Sequence, residues 1–461
     1  MVKSVDKDQE DKKSYEVTTI YIPLDSEQIK ENITITTNRH YKPYKEQIIY
    51  QAIKYHKQGN IQEASRYYKF FLDKGLKDPR VFANYGIILK SLGNLEKAKI
   101  YLQKAIEMKP NSAEIHYNLG NILIGLGKLK EAELSLKRAI QLNPRSAEAH
   151  SNLSIIFKDI GKLKEAELLL NRAIRLNPNS AEAHLNLAAI FIDSDQLIQA
   201  ELSILKAIEI KPNYAFAHYT LGLILENQGD IKKAFDSYIR AIELDQSLDI
   251  IYQSLTEFFK YSDISHLNQS KLKFILNIML ERNDISHKNL FRIFYFLYGE
   301  LIINNQVNFT KKYIDIKLLF KDKIVINALK KIIFCDLQLE KMLTKTRQHI
   351  CYRMGIDIEC INELELQFLI ALGQQCFLNE YIYSLSNKEY MITQKIIKNC
   401  KVNEINEKII SILSCYFPLY KLLNRIPSLK SFYSSNISFQ ELLKLQITDP
   451  LAEIKLSKSI K

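Results

Sequence analysis

AEIHYNLGNILIGLGKLKEAELSLKRAIQLNPRS, running from Ala113 to Ser146, is the stretch whose reading decides the fold. His116, Leu119, Gly120 and Leu123 fall on one helical face, as do Leu129, Ala132, Leu136 and Ala139 in the segment that follows, so two amphipathic helices are implied. Gly127 stands between them, where a tight turn needs a positive φ, and Pro144 ends the second helix because it cannot donate to the preceding turn. Gly120 and Ala132 are small where the two helices of the hairpin meet, and Ala139 leaves room for a neighbouring hairpin. Larger side chains there would force the stack apart.

The same wording recurs on both sides. Ala64, Ala98, Ala132, Ala166, Ala200 and Ala234 are spaced by 34 residues without exception, and so are Ala105, Ala139, Ala173, Ala207 and Ala241, with Phe71 in the first copy. Gly59, Gly93, Gly127, Gly161 and Gly229 keep this interval, with Asp195 in place of glycine once; Pro110, Pro144, Pro178 and Pro212 close four of the units. A fixed period of this length is the signature of stacked supersecondary units, none of which can bury its apolar face alone.

The pattern resembles the tetratricopeptide repeat over residues 45–248, in six copies: 45–78, 79–112, 113–146, 147–180, 181–214 and 215–248. The resemblance implies an all-α, right-handed α-solenoid of helix-turn-helix units, whose first helices line a concave surface that binds another protein or a peptide. The sequence departs from the family at the fourth place, where Ile48, Phe82, His116, His150, His184 and His218 stand in a chain with no tryptophan. Equally spaced histidines a whole hairpin apart cannot converge on one ion, so they read as substitutes for an aromatic. Asp193 and Asp195 have the spacing of a metal-binding DxD but fall in a turn of the fifth copy, and read as solvated turn residues.

At the sixth place of four consecutive copies stand Asn84, Asn118, Asn152 and Asn186. A row of carboxamides suits an extended peptide, because each offers a donor and an acceptor to backbone amides whatever the peptide's sequence. The wording around them is similar to the repeats of the O-linked N-acetylglucosamine transferase, where such asparagines hold substrate backbone; a role as an accessory of protein glycosylation would follow from that resemblance alone. The other reading is a polar residue tolerated on an exposed helix face. Either way these side chains are expected to face solvent in the free protein.

Beyond Leu248 the repeat register is expected to stop. Ile251–Tyr261 reads as a helix capping the open end, and residues 249–461 as a C-terminal helical domain, since only Gly299, Gly355 and Gly373 occur in it. Segments 335–350, 368–383, 415–422 and 447–456 resemble the helical region that precedes the catalytic domain of repeat-fused, S-adenosylmethionine-dependent methyltransferases. In that family the glycine-rich cofactor turn comes afterwards. No glycine follows Gly373 here, so the resemblance implies an accessory part, with no cofactor and no catalytic residues.

Composition narrows the classes further. The chain of 461 residues is 47% apolar, enough for a substantial core, and its 64 basic against 52 acidic side chains give a net charge of +12 that is dispersed along the sequence. No basic stripe marks a nucleic-acid partner. Cys335, Cys351, Cys360, Cys376, Cys400 and Cys415 include no CxxC pair and read as small buried residues in a reducing cytoplasm. Residues 1–44, opening MVKSVDKDQEDKK, read as a partly disordered tail and not a signal peptide. Leu290–Ile303 is the most apolar stretch but is too short for a bilayer and carries Arg292 and Glu300, so no membrane partner is expected. A cytoplasmic scaffold or adaptor, not an enzyme, is the function these features imply.

Overall fold

A computed structural model describes residues 41–304, 321–381, 383–400 and 405–459. Most of the expected N-terminal tail, residues 1–40, lies outside them. The described residues are helical with no strand, and they divide into two compact units, 1–228 and 229–461.

The first unit is a run of hairpins. Its helices are α1 (Tyr41–Lys57), α2 (Ile61–Asp73), α3 (Pro79–Ser91), α4 (Leu95–Met108), α5 (Ala113–Gly125), α6 (Leu129–Leu142), α7 (Ala147–Asp159), α8 (Leu163–Leu176), α9 (Ala181–Asp193), α10 (Leu197–Ile210) and α11 (Ala215–Asn227). Each turn within a hairpin is built on a left-handed residue: φ is 72° at Gly59, 74° at Gly93, 70° at Gly127 and 77° at Gly161. Asp195, the one departure, keeps the geometry with φ 56°, as a short polar side chain can. The alanines expected at the contacts are sealed: Ala132 is fully buried and Ala139 is 1% exposed, with Leu136 between them also buried.

The close approach inside the third hairpin has a measurable limit. A Cβ added at Gly120 would lie 2.7 Å from Leu136 Cγ, whereas one added at Gly86, the equivalent place in the second hairpin, would lie 3.1 Å from Leu102 Cγ. Alanine gains about 1 kcal/mol of helix propensity over glycine, which offsets a mild squeeze but not a collision. Gly120→Ala should therefore destabilise by about 1–2 kcal/mol from overpacking, and Gly86→Ala should be near neutral. Urea titrations of the two variants would check the order, and equal midpoints would refute it.

Neighbouring hairpins are stapled by the fourth-place histidines. His116 Nε2 lies 2.9 Å from the Pro110 carbonyl, His150 Nε2 3.2 Å from that of Pro144, His184 Nε2 3.3 Å from Pro178 and His218 Nε2 2.9 Å from Pro212. A carbonyl only accepts, so each Nε2 carries the proton and donates. The imidazole thus fastens each first helix to the proline that closes the preceding unit.

The second unit holds α12 (Ile231–Leu244), α13 (Asp249–Tyr261), α14 (Gln269–Glu281), α15 (Phe291–Asn304), α16 (Lys323–Lys331), α17 (Leu337–Met354), α18 (Glu363–Leu378), α19 (Asn387–Asn399), α20 (Glu407–Ser414), α21 (Leu419–Leu422), α22 (Ile437–Leu443) and α23 (Asp449–Ser459). The expectation that the register stops after Leu248 needs correction. The Tyr252 hydroxyl donates to the Gln246 carbonyl at 3.1 Å, six residues back, which repeats the histidine–proline staple with a phenol. In α13 Ile251, Leu255, Phe258 and Phe259 are buried, and Phe258 meets Phe235 of α12 at 6.1 Å between ring centroids. The register carries on for one more first helix, hidden in sequence because tyrosine replaces histidine and Thr256 replaces the small residue.

Further along, α18 is the buried centre of the second unit, packed against α16 and α20. Gly373 is required there, since a Cβ would run into the Ser414 side chain. Between α17 and α19 lies a buried ion pair, Arg347 to Glu389 at 3.3 Å, with 3% and 0% side-chain exposure. The Glu389 carboxylate also accepts from Tyr416 at 2.7 Å, Gln348 at 3.1 Å and the Ser386 hydroxyl at 2.7 Å.

Candidate binding seam along the first helices

In the first unit the first helices of successive hairpins, α3, α5, α7 and α9, touch one another more closely than the second helices do. They therefore form the inside of the curve. The residues of the sixth place lie in the seams between them, and what each asparagine meets is decided by the fifth and ninth places of the preceding copy.

Asn152 finds partners at both: its Nδ2 donates to Asn121 Oδ1 at 2.6 Å and reaches the Tyr117 hydroxyl at 3.4 Å. Asn186 finds one, with Nδ2 3.4 Å from Ser151 Oγ. Before Asn118 the corresponding residues are Ala83 and Ile87, and its Nδ2 is buried with no partner. Asn84 follows Ile49 and Ile53, and neither end of its amide is bonded. Burial of the Tyr68 phenol raises its pKa, with the adjacent Asn84 amide pulling the other way.

The expectation that the asparagines face solvent is thereby corrected. Asn84 has 0% exposure and Asn118 9%, while Asn152 and Asn186 are half-buried. The physical reason is the contact between first helices, which closes the seam over the sixth place. Tyr117, Asn121 and Ser151, which hold the asparagines, went unnoticed in the sequence; the same 34-residue register would have pointed to them.

Charge around the seam is acidic. Burial pushes the Tyr117 phenol up, its neighbours Asn121 and Asn152 pull it back, and Glu148 and Glu182 from the next two copies add to the rise. Glu114 is also raised, by burial, against a smaller opposing effect of Lys109. These glutamates occupy first turns of their helices, where the helix dipole favours a carboxylate, so they serve the fold whether or not they meet a ligand. Carboxamides, a phenol and carboxylates can hold backbone and cations; they supply no activated nucleophile. Elsewhere, Asp193 is the last residue of α9, not a turn residue, and pairs with Lys158 at 3.6 Å, while Asp195 holds the left-handed turn position. Cys351, Cys376, Cys400 and Cys415 are buried, Cys360 is partly so and Cys335 is exposed. Among the described residues no group of three His, Cys, Asp or Glu side chains could hold a metal ion, and no helix is long and apolar enough to cross a membrane.

Comparison with known proteins agrees with the period. Models of the tetratricopeptide repeat match residues 51–113, 89–156, 123–190, 181–214 and 203–236. No curated protein matches the sequence. Among solved structures, MamA is 28% identical, with 35% of this chain and 94% of that chain covered and a TM-score of 0.32. YrrB, described as a TPR protein with an unusual peptide-binding site, is 22% identical over 41% of this chain and 97% of that one, with a TM-score of 0.34. TTC0263, a thermophilic TPR protein of Thermus thermophilus, is 20% identical over 39% and 98%, with a TM-score of 0.35. Residues 51–236, with their left-handed turns, sealed alanines and stapled first helices, are tetratricopeptide repeats.

Proposed function

We propose that the first unit is a protein-interaction scaffold whose first-helix seam holds an extended peptide by its backbone. The observation that carries this is the Asn118 amide, 9% exposed and with an Nδ2 that bonds to nothing in the protein. An unmet buried donor costs about 1–3 kcal/mol, and a peptide carbonyl would satisfy it once the side chain, sealed at Nδ2 in the free protein but not wholly buried, turns outward on binding. Asn152 and Asn186, half-buried, extend the run on one side. Asn84, with no exposed surface, stays with the core.

The test begins with a random-peptide display selection against the full chain, followed by titration of the selected peptide. Asn118→Ala should weaken binding by about three- to ten-fold, the value of one hydrogen bond, while leaving the melting temperature unchanged or higher. Changing Asn118, Asn152 and Asn186 together should weaken binding by roughly ten- to a thousand-fold, and should lower the melting temperature because the bonds to Asn121, Tyr117 and Ser151 are lost. Unchanged affinity in both variants would refute the reading. The accessory methyltransferase reading of residues 330–456 makes no contrary demand on the seam. On the scaffold reading, calorimetric titration with S-adenosylmethionine should give no binding, and stoichiometric micromolar binding would make the second unit a cofactor-dependent enzyme.

A further inference from the structure

The second helices carry a periodic feature on their outer side that the seam does not use. Ile100, Leu134, Leu168 and Leu202 recur every 34 residues on α4, α6, α8 and α10, with 49%, 71%, 68% and 66% exposure. Leu134 sits midway between the buried Ala132 and Leu136, and so projects from the opposite side of its helix; its equivalents do the same. Isolated exposed leucines are ordinary on protein surfaces. Four in register over consecutive hairpins form a row, which Ile198 and Leu205 widen on α10.

A cation stands one turn beyond each member of the row: Lys104, Arg138, Arg172 and Lys206. Lys130 and Lys164 stand one turn before two of them. Several nearby acids are already engaged, Glu96 with Lys128 at 2.8 Å, Glu131 with Lys99 at 3.1 Å and Glu133 with Lys137 at 2.6 Å. Lys206 pairs with Glu209 at 2.8 Å; Arg138 donates to Asn111 at 3.0 Å and Gln141 at 3.3 Å, and Lys104 lies 5.6 Å from the Tyr101 ring, but among the described residues neither they nor Arg172 form a salt bridge. The surplus along the row is positive.

This charge pattern selects the occupant. A second copy of the chain would bring cations against cations, because basic side chains stand one turn beyond every member of the row and one turn before Leu134 and Leu168. A bilayer would have to strip water from Glu133, Glu167 and Glu201, each directly before a leucine. We infer that the outer row of α4, α6, α8 and α10 is a docking surface for an acidic amphipathic helix of a partner protein. A helix presents an apolar stripe and a parallel acidic stripe side by side, the complement of a leucine row bordered by a cation row. The leucines take its apolar face and Lys104, Arg138 and Arg172 take its carboxylates, which sets orientation and partner choice.

The probe is a fluorescein-labelled helical peptide with a leucine face bordered by glutamates, titrated into the full chain beside a twin with lysines for the glutamates. The acidic peptide should bind and the lysine twin should not. Its affinity should fall about ten-fold or more in Leu134→Glu/Leu168→Glu and in Arg138→Glu/Arg172→Glu, and stay unchanged in Asn118→Ala. All four outer positions are exposed, so melting curves should match the parent, and the two pairs check each other should one misfold. No binding of the acidic peptide, equal binding of the twin, or affinity that survives the leucine changes would overturn the inference. Leucine-dependent binding to phosphatidylglycerol vesicles, or a leucine-dependent dimer by light scattering, would overturn it in favour of those occupants.

Discussion

Replacing Glu389 by alanine should destabilise the second unit by about 3–5 kcal/mol, because it strands the buried Arg347 guanidinium without a counter-charge. The carboxylate is the meeting point of Arg347, Gln348, Ser386 and Tyr416, of which Arg347 and Tyr416 are buried and Gln348 and Ser386 only partly so. Removing one partner of a buried pair is far costlier than never having had the pair. The pH dependence follows from the same contacts. Burial alone would raise the Glu389 pKa, but the Ser386 and Tyr416 hydrogen bonds and the Arg347 charge outweigh it and hold it below the usual range. A depressed carboxylate contributes stability above its unfolded pKa of about 4 and loses it as pH falls through the folded value. The parent's contribution should thus be complete at pH 7 and fade only in acid. Denaturant titration with hydrogen exchange should show protection lost around α17, α19 and α20 in Glu389→Ala, with residues 41–228 little changed. A loss under about 1 kcal/mol would mean the node is better solvated than its burial implies.

The first unit should show the same linkage with the same sign, at higher pH. His56 is 2% exposed, its Nδ1 has no partner, and burial lowers its pKa from 6.5 to about 4. Its ring stands edge-on to Tyr68 at 6.0 Å. The unfolded chain takes up a proton near pH 6.5, which the folded state refuses until about pH 4. Stability is therefore full above pH 6.5 and falls as pH drops towards 4, by up to about 3 kcal/mol at roughly 1.4 kcal/mol per unit. His56→Leu should abolish that slope. Local hydrogen exchange in α1 to α3 between pH 7 and 4, corrected for intrinsic rates, would check it. A stability flat across this window in the parent would contradict the burial of a neutral imidazole.

Much of the first unit was legible because its signal is arithmetic. A period carried by Ala132, Gly127 and Pro144 and by their equivalents leaves little freedom once two helices and a turn must fit inside it. The seam was legible only in part. That Asn118 and Asn152 share a place could be read off the sequence, but that one is unpartnered and the other bonded depends on Ala83 and Ile87 before one and Tyr117 and Asn121 before the other. Burial was missed for a different reason. Polar residues on a first helix look solvent-facing until the next first helix closes over them. In the second unit the period runs out after α13, and the Arg347–Glu389 node joins residues 42 apart in sequence through packing that no local pattern announces.

The central proposal is that a peptide lies in the seam. Its most direct test is photo-crosslinking of the display-selected peptide, carrying benzoyl-phenylalanine, to the full chain, with the attachment sites mapped by mass spectrometry. The expected sites are on the first helices, at Tyr117, Asn121, Ser151 and their neighbours in α5, α7 and α9, and the yield should fall in Asn118→Ala. Attachment confined to α4, α6 and α8, or to residues 229–461, would contradict it.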